Sequence, residues 1–127
     1  MSTEQDAIAV VERFCEAIAG GDLDAVVAFF SDDAVYHNIP IEPVVGPAAI
    51  RSTLESFTSS VDSLEFKMLA IAASGSTVLT ERIDIFNFPG HVLSLPVMGT
   101  FEVTDGKISA WRDYFDMQQF MSQLPPG

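Results

Sequence analysis

The chain has 127 residues, 48% of them hydrophobic, and a formal net charge of −12, with a mean hydropathy of +0.28. That combination describes one globular domain with room for a core, not a disordered chain. So acidic a chain is a poor partner for nucleic acid, whose phosphates need Lys and Arg, and for an anionic membrane surface.

The single cysteine, Cys15, permits no internal disulfide and no cysteine-based metal site. Set among apolar neighbours in a helical pattern, it reads as a buried, inert thiol. The opening stretch MSTEQDAIAV lacks a basic region followed by an apolar run, so it does not read as a secretory signal. No apolar stretch approaches the ~18 residues of a membrane span. The expectation is a cytoplasmic protein whose acidity serves solubility.

Residues 4–19 carry Ile8, Val11, Phe14, Cys15 and Ile18 at helical spacing. Gly20, Gly21 and Asp22 end that helix and begin a second over 23–30, with Asp22 as its N-cap. SDDAVYHNIP reads as a strand that Pro40 ends, and IEPVVGP as a loop. A third helix is expected over 47–60, with Pro47 in its first turn and Ile50, Leu54 and Phe57 as its apolar stripe. The period then changes from helical to two. SLEFKMLAIAAS and STVLTERIDIFNF flank a turn at SGS. GHVLSLPVMGTFEV and GKISAWRDYFDM flank TDG, and Asp-Gly between β-rich runs is a strong hairpin signal. DMQQFMSQL is a last helical piece before Pro125. Helices first and consecutive antiparallel strands after them indicate a single α+β domain over 1–127. Helices on one face of a curved sheet can leave a pocket between the two layers.

Strand parity then sorts the polar residues. In GKISAWRDYFDM, Trp111, Asp113 and Phe115 share a face, which places an acid between two aromatics. A buried carboxylate there needs a charged or hydrogen-bonding partner. From pattern alone, Asp113 is either a brace for a loop or a functional carboxylate. In TVLTERIDIF, Arg82 and Asp84 share a face with Thr80, either as an exposed ion pair or as that partner. In VYHNIP, Tyr36 and Asn38 share a face and His37 points away. They are either core and turn residues or a pair able to hold water, since each can donate and accept. No G-x-S-x-G elbow or Gly-rich phosphate loop occurs. His37 and His91 lack metal-ligand spacing, so the sequence gives a metal site little support.

Taken together, Tyr36-x-Asn38, Arg82-x-Asp84 and the run Trp111-Arg112-Asp113-Tyr114-Phe115-Asp116 resemble the limonene epoxide hydrolase family over nearly the whole chain. The resemblance implies the cone-shaped α+β fold of the nuclear transport factor two superfamily, also called cystatin-like. There a curved mixed or antiparallel sheet packs on N-terminal helices around an internal pocket. It implies a cofactor-free homodimer that adds water to an apolar epoxide to give a vicinal diol. By motif, the acid–base centre falls on Asp113 and Asp84 with Arg82 between them, and the water-holding pair on Tyr36 and Asn38. The short N-terminus and the short NFPGHVLS link depart from the family and bear on the pocket mouth and dimer contact. Candidate apolar walls are Phe14, Ile18, Phe57, Phe66, Leu69, Phe86, Leu95, Val97, Phe115 and Phe120. Two other functions suit the same fold. One is a proton-shuttling enzyme like ketosteroid isomerase or a polyketide cyclase; the other is a non-enzymatic ligand-binding module.

Overall fold

A computed structural model describes residues 3–125. Helix α1 (Thr3–Gly20) is followed by α2 (Leu23–Val27), β1 (Phe30–Asn38), β2 (Val44–Val45) and α3 (Pro47–Thr58). Four long strands come next: β3 (Ser63–Ser74), β4 (Thr77–Phe88), β5 (His91–Thr104) and β6 (Lys107–Tyr114). The short helix α4 (Met117–Ser122) ends the described chain. All six strands join one mixed sheet in the order β2-β1-β6-β5-β4-β3. The long strands run antiparallel to their neighbours, and β6 returns to pair in parallel with β1. This is the expected α+β fold, with the helices on one face of the sheet.

Local chemistry explains most of the element ends. Asp22 caps α2 by accepting hydrogen bonds from the Asp24 and Ala25 amides. Asp116 caps α4 by accepting from Gln119 N. At the β5–β6 turn, Asp105 and Gly106 both have positive φ, 52° and 77°. That is the backbone a two-residue hairpin needs to match strand twist.

Four boundaries differ from the sequence expectation. Helix α2 stops at Val27, because Phe30 is drawn into the sheet opposite Ile108. Val44 and Val45, expected in a loop, form a short edge strand against Tyr36 and Val35. Helix α3 ends at Thr58, and its C-cap Ser59 donates from its backbone N–H to Glu55 O. Strand β6 ends at Tyr114, so Phe115 lies beyond the ladder.

The core lies between α1 and α3 and the inner face of the sheet. Val11, Phe14, Ile50, Leu54, Leu93, Phe101, Ile108 and Trp111 are all fully buried there. Phe14 packs edge-on against Phe29, Phe30, Phe101 and Trp111, a favourable geometry for aromatic rings. Among the described residues, no helix is long and apolar enough to cross a membrane.

Candidate active site

Four neighbouring strands bring the polar side chains onto one face. Asn38 of β1 pairs with Asp113 of β6, Asp113 with Gly99 of β5, and Gly99 with Thr80 of β4. Two residues along, Tyr36 pairs with Trp111, Trp111 with Phe101, and Phe101 with Val78. The period of two therefore delivers Tyr36, Asn38, Thr80, Arg82, Asp84 and Asp113 to the inner face together. Each is buried, and Arg82 has no exposed surface.

Arg82 joins the two acids. Its Nε donates to Asp84 Oδ1 at 3.0 Å and its Nη2 to Asp84 Oδ2 at 2.8 Å. Its Nη1 and Nη2 also donate to Asp113 Oδ1 and Oδ2, at 3.1 Å and 2.9 Å. The remaining Nη1 hydrogen serves Thr80 Oγ1 at 3.3 Å, and that hydroxyl donates to Gly99 O. All five guanidinium donors are thus engaged. Such paired, charge-assisted bonds are the strong kind and fix geometry as well as charge. The Phe66 ring lies 4.4 Å from Arg82 Cζ and covers the cation.

Gly99 makes this arrangement possible. A Cβ there would overlap Arg82 Nη1 and stand 2.6 Å from Asp113 Oδ1. The guanidinium crosses from β4 to β6 over the one position on β5 that has no side chain.

Trp111 braces Asp113. Its ring is stacked between Tyr36 and Phe101, with centroids at 4.1 Å and 5.5 Å. Its Nε1 donates to Asp113 Oδ1 at 2.7 Å. The Tyr36 hydroxyl donates to Asn38 Oδ1 at 3.3 Å.

The environment acts differently on the ionisable groups. Burial pushes the Asp84 carboxyl up to about 6; Arg82 pulls it back, and the charge on Asp113 pushes it further up. Burial pulls the Arg82 guanidinium down, but Asp113 and Asp84 outweigh that and hold it well above its usual value. The Tyr36 phenol is raised by burial and then by Asp113, so it stays a neutral O–H. Burial also raises the Cys15 thiol to about 12, which suits an inert core residue.

Asp84, Asp113, Tyr36 and Asn38 open onto one cavity whose other walls are apolar. Phe57, Phe66, Phe86, Leu95, Val97, Phe115 and Phe120 line it, as the sequence suggested. Arg82 does not; it lies behind the carboxylates. Three candidate wall residues lie elsewhere. Phe14 packs on the far side of Trp111, within the core. Ile18 lines a separate cavity with Val26 and Val61. Leu69 is half exposed, because the β3–β4 register slips between Met68 and Ala70 and turns it out of the inner face. In return, Ile41, Leu54, Leu64, Met117 and Met121 join the walls. Of these, only Leu54 carried a sequence signal, as part of the α3 stripe. Thr80 could have been found by its parity with Arg82, and Gly99 as a lone glycine in a strand. Among the described residues, no group of three or more His, Cys, Asp or Glu side chains could hold a metal ion.

Comparison with known proteins bears on this site. The family model for the limonene-1,2-epoxide hydrolase catalytic domain matches residues 5–126. The epoxide hydrolase EphG of Mycobacterium tuberculosis is 37% identical over 117 residues, spanning 92% of this chain and 78% of that protein. The solved structure of an M. tuberculosis epoxide hydrolase resembling this family superposes with a TM-score of 0.84 at 36% identity. That match covers 95% of this chain and 90% of the other. A SnoaL-like protein from Shewanella putrefaciens CN-32 shares the fold alone, with a TM-score of 0.83 at 16% identity over 92% of this chain and 94% of its own.

Proposed function

The chain belongs to the limonene-1,2-epoxide hydrolase family, and from that premise we propose that it adds water to an apolar epoxide to give a vicinal diol. The substrate class is an alicyclic, terpene or aryl epoxide. The observation that carries this is the Asp84–Arg82–Asp113 set, with both carboxyls facing an otherwise apolar cavity.

Epoxide opening needs a base to take a proton from water and an acid to protonate the departing oxygen. Asp113 is the base. Its Oδ1 already accepts from Trp111 and Arg82, whereas Oδ2 accepts only from Arg82. Oδ2 therefore keeps a lone pair for the water proton. Tyr36 and Asn38 hold the same water and aim its oxygen at the ring carbon. Asp84, raised by burial, carries the proton for the epoxide oxygen. One C–O bond forms as the other breaks, with no covalent enzyme intermediate. Afterwards Asp113 holds a proton and Asp84 lacks one. The return path is short, because Arg82 Nη2 bonds both Asp84 Oδ2 and Asp113 Oδ2.

Asp113→Asn and Asp84→Asn test the assignment with cyclohexene oxide, limonene oxide and styrene oxide. Each should stay folded and lose at least ~10² in diol formation. Near-full activity in either variant would overturn the roles. Proton exchange into a ketone, without diol formation by the unaltered chain, would favour the isomerase-like alternative.

A homodimer is part of the same proposal. Its support is the outer face of the sheet, where Leu69, Leu79, Met98 and Tyr114 are exposed and Met98 pairs with Glu81 and Tyr114. Such a patch suits a second copy of this chain. Sedimentation equilibrium of the unaltered protein and of a Leu79→Lys variant tests it.

A further inference from the structure

One wall of the cavity is a short helix whose side-chain hydrogen bonds to the sheet come from one residue beyond its end. Helix α4 supplies Met117, Phe120 and Met121 to the pocket, yet none of its residues is buried. Phe120 meets Phe57, Phe86 and Phe115 edge-on. The polar attachment comes from Gln123, just past the helix.

Strand β6 stops at Tyr114, opposite Met98. The first half of β5, from His91 to Val97, therefore has no strand on that side. Gln123 occupies the gap. Its Oε1 accepts from Ser94 N at 3.2 Å, and its Nε2 donates to Ser94 O at 2.9 Å. A carboxamide thus makes the pair of bonds that a neighbouring strand residue would make. The same Nε2 donates to Gln119 O at 3.2 Å, inside α4. The His91 ring donates from Nε2 to the Gln123 carbonyl at 2.5 Å. Helix and strand are bracketed through one residue that does not itself touch the cavity.

We propose that Gln123 is a positioning residue for substrate specificity: its carboxamide fixes α4 against the free edge of β5 and so sets the width of the apolar pocket. The epoxide as ligand rests on the proposed function; the bracket itself does not. The acid–base set lies on β1, β4 and β6 and makes no contact with Gln123. Loosening α4 should therefore weaken substrate binding and size discrimination while sparing the chemical step.

The test uses Gln123→Leu, which keeps bulk, and Gln123→Glu, which keeps shape but loses the donor. Kinetics with cyclohexene oxide and limonene oxide are read beside amide hydrogen exchange over 117–123. In both variants, KM should rise at least about fivefold with kcat within about twofold, the pattern of lost ground-state binding. The preference between the two substrates should shift, and exchange should quicken over 117–123 but not in β4 or β6. Unchanged KM with unchanged exchange would overturn the proposal. So would a fall in kcat at constant KM. If the unaltered protein opens no epoxide, the proposed function fails, and the exchange data alone decide whether Gln123 fixes α4.

Discussion

Trp111 donates its indole N–H to Asp113 Oδ1 at 2.7 Å, the same oxygen that receives Arg82 Nη1. The two residues stand two apart on β6, so parity alone puts them on one face. Stacking against Tyr36 and Phe101 holds the indole in place. The result is a carboxylate with one saturated oxygen and one available oxygen.

Replacing Trp111 by Phe keeps much of the stacking surface and removes the donor. A hydrogen bond to a charged group contributes about 1.5–3 kcal/mol. Trp111→Phe should therefore stay folded and lose about 10- to 100-fold in kcat, with KM little changed. Steady-state kinetics beside a circular-dichroism melt checks this. Full kcat would mean that the indole is only packing.

Gly99→Ala should damage the site more than its small volume suggests. The new methyl competes with Arg82 and Asp113 for the same space. Either the guanidinium withdraws from Asp113 or β5 moves away from β6. The expected outcome is a loss of at least ~1–3 kcal/mol of stability, in the range of an overpacked interior. Activity should fall with it. Urea denaturation and diol assay together measure both.

The raised Asp84 carboxyl gives activity an acid-side preference. On the proposed mechanism Asp84 must be protonated, so kcat/KM should decline as pH rises through about 6. The pair titrates as a coupled unit, so that limb belongs to the set. Substrate that displaces water should move the kcat limb to higher pH, because drying disfavours the carboxylate. A kcat/KM that is flat from pH 5 to 8 would contradict the acid role.

The same shift makes a stability statement with a definite sign. In the folded state Asp84 titrates near 6, above its ordinary value of 3.8. Its favourable contribution is complete below about pH 4 and is lost as pH rises through 6. Relative to Asp84→Asn, the unaltered protein should lose about 2 kcal/mol between pH 4 and 7, an upper figure at ~1.4 kcal/mol per pKa unit. Urea titrations of both proteins at the two pH values test it.

Cys15 should be silent in the native state. Its thiol is buried and raised to about 12 by that burial, so little thiolate exists near neutrality. Iodoacetamide should label it in urea and not in buffer. Rapid native labelling would show that α1 opens readily.

The site was legible in the sequence to the extent that it depends on a period of two. Parity within each strand set Tyr36 with Asn38, Arg82 with Asp84, and Trp111 with Asp113, with no knowledge of how the strands pair. The hairpin pairings of β3 with β4 and of β5 with β6 were legible from their turns, but the order in which the remaining strands join the sheet was not. The parallel return of β6 beside β1 puts Asn38 opposite Asp113, and nothing local encodes it. Leu69 shows the limit within one strand, because the bulge breaks the alternation. Met117, Met121 and Ile41 reach the cavity through loops and a short helix whose direction depends on the finished sheet. Gly99 matters only because Arg82 and Asp113 arrive from both sides.

With Asp84 protonated, the buried set carries one positive and one negative charge, and so has no net charge, inside a chain of net charge −12. An uncharged epoxide approaching it feels no long-range pull from either the set or the acidic surface. Capture should proceed by ordinary diffusion and apolar contact, with turnover almost indifferent to added salt. On the proposed function, a strongly anionic chain thus works on molecules that carry no charge at all.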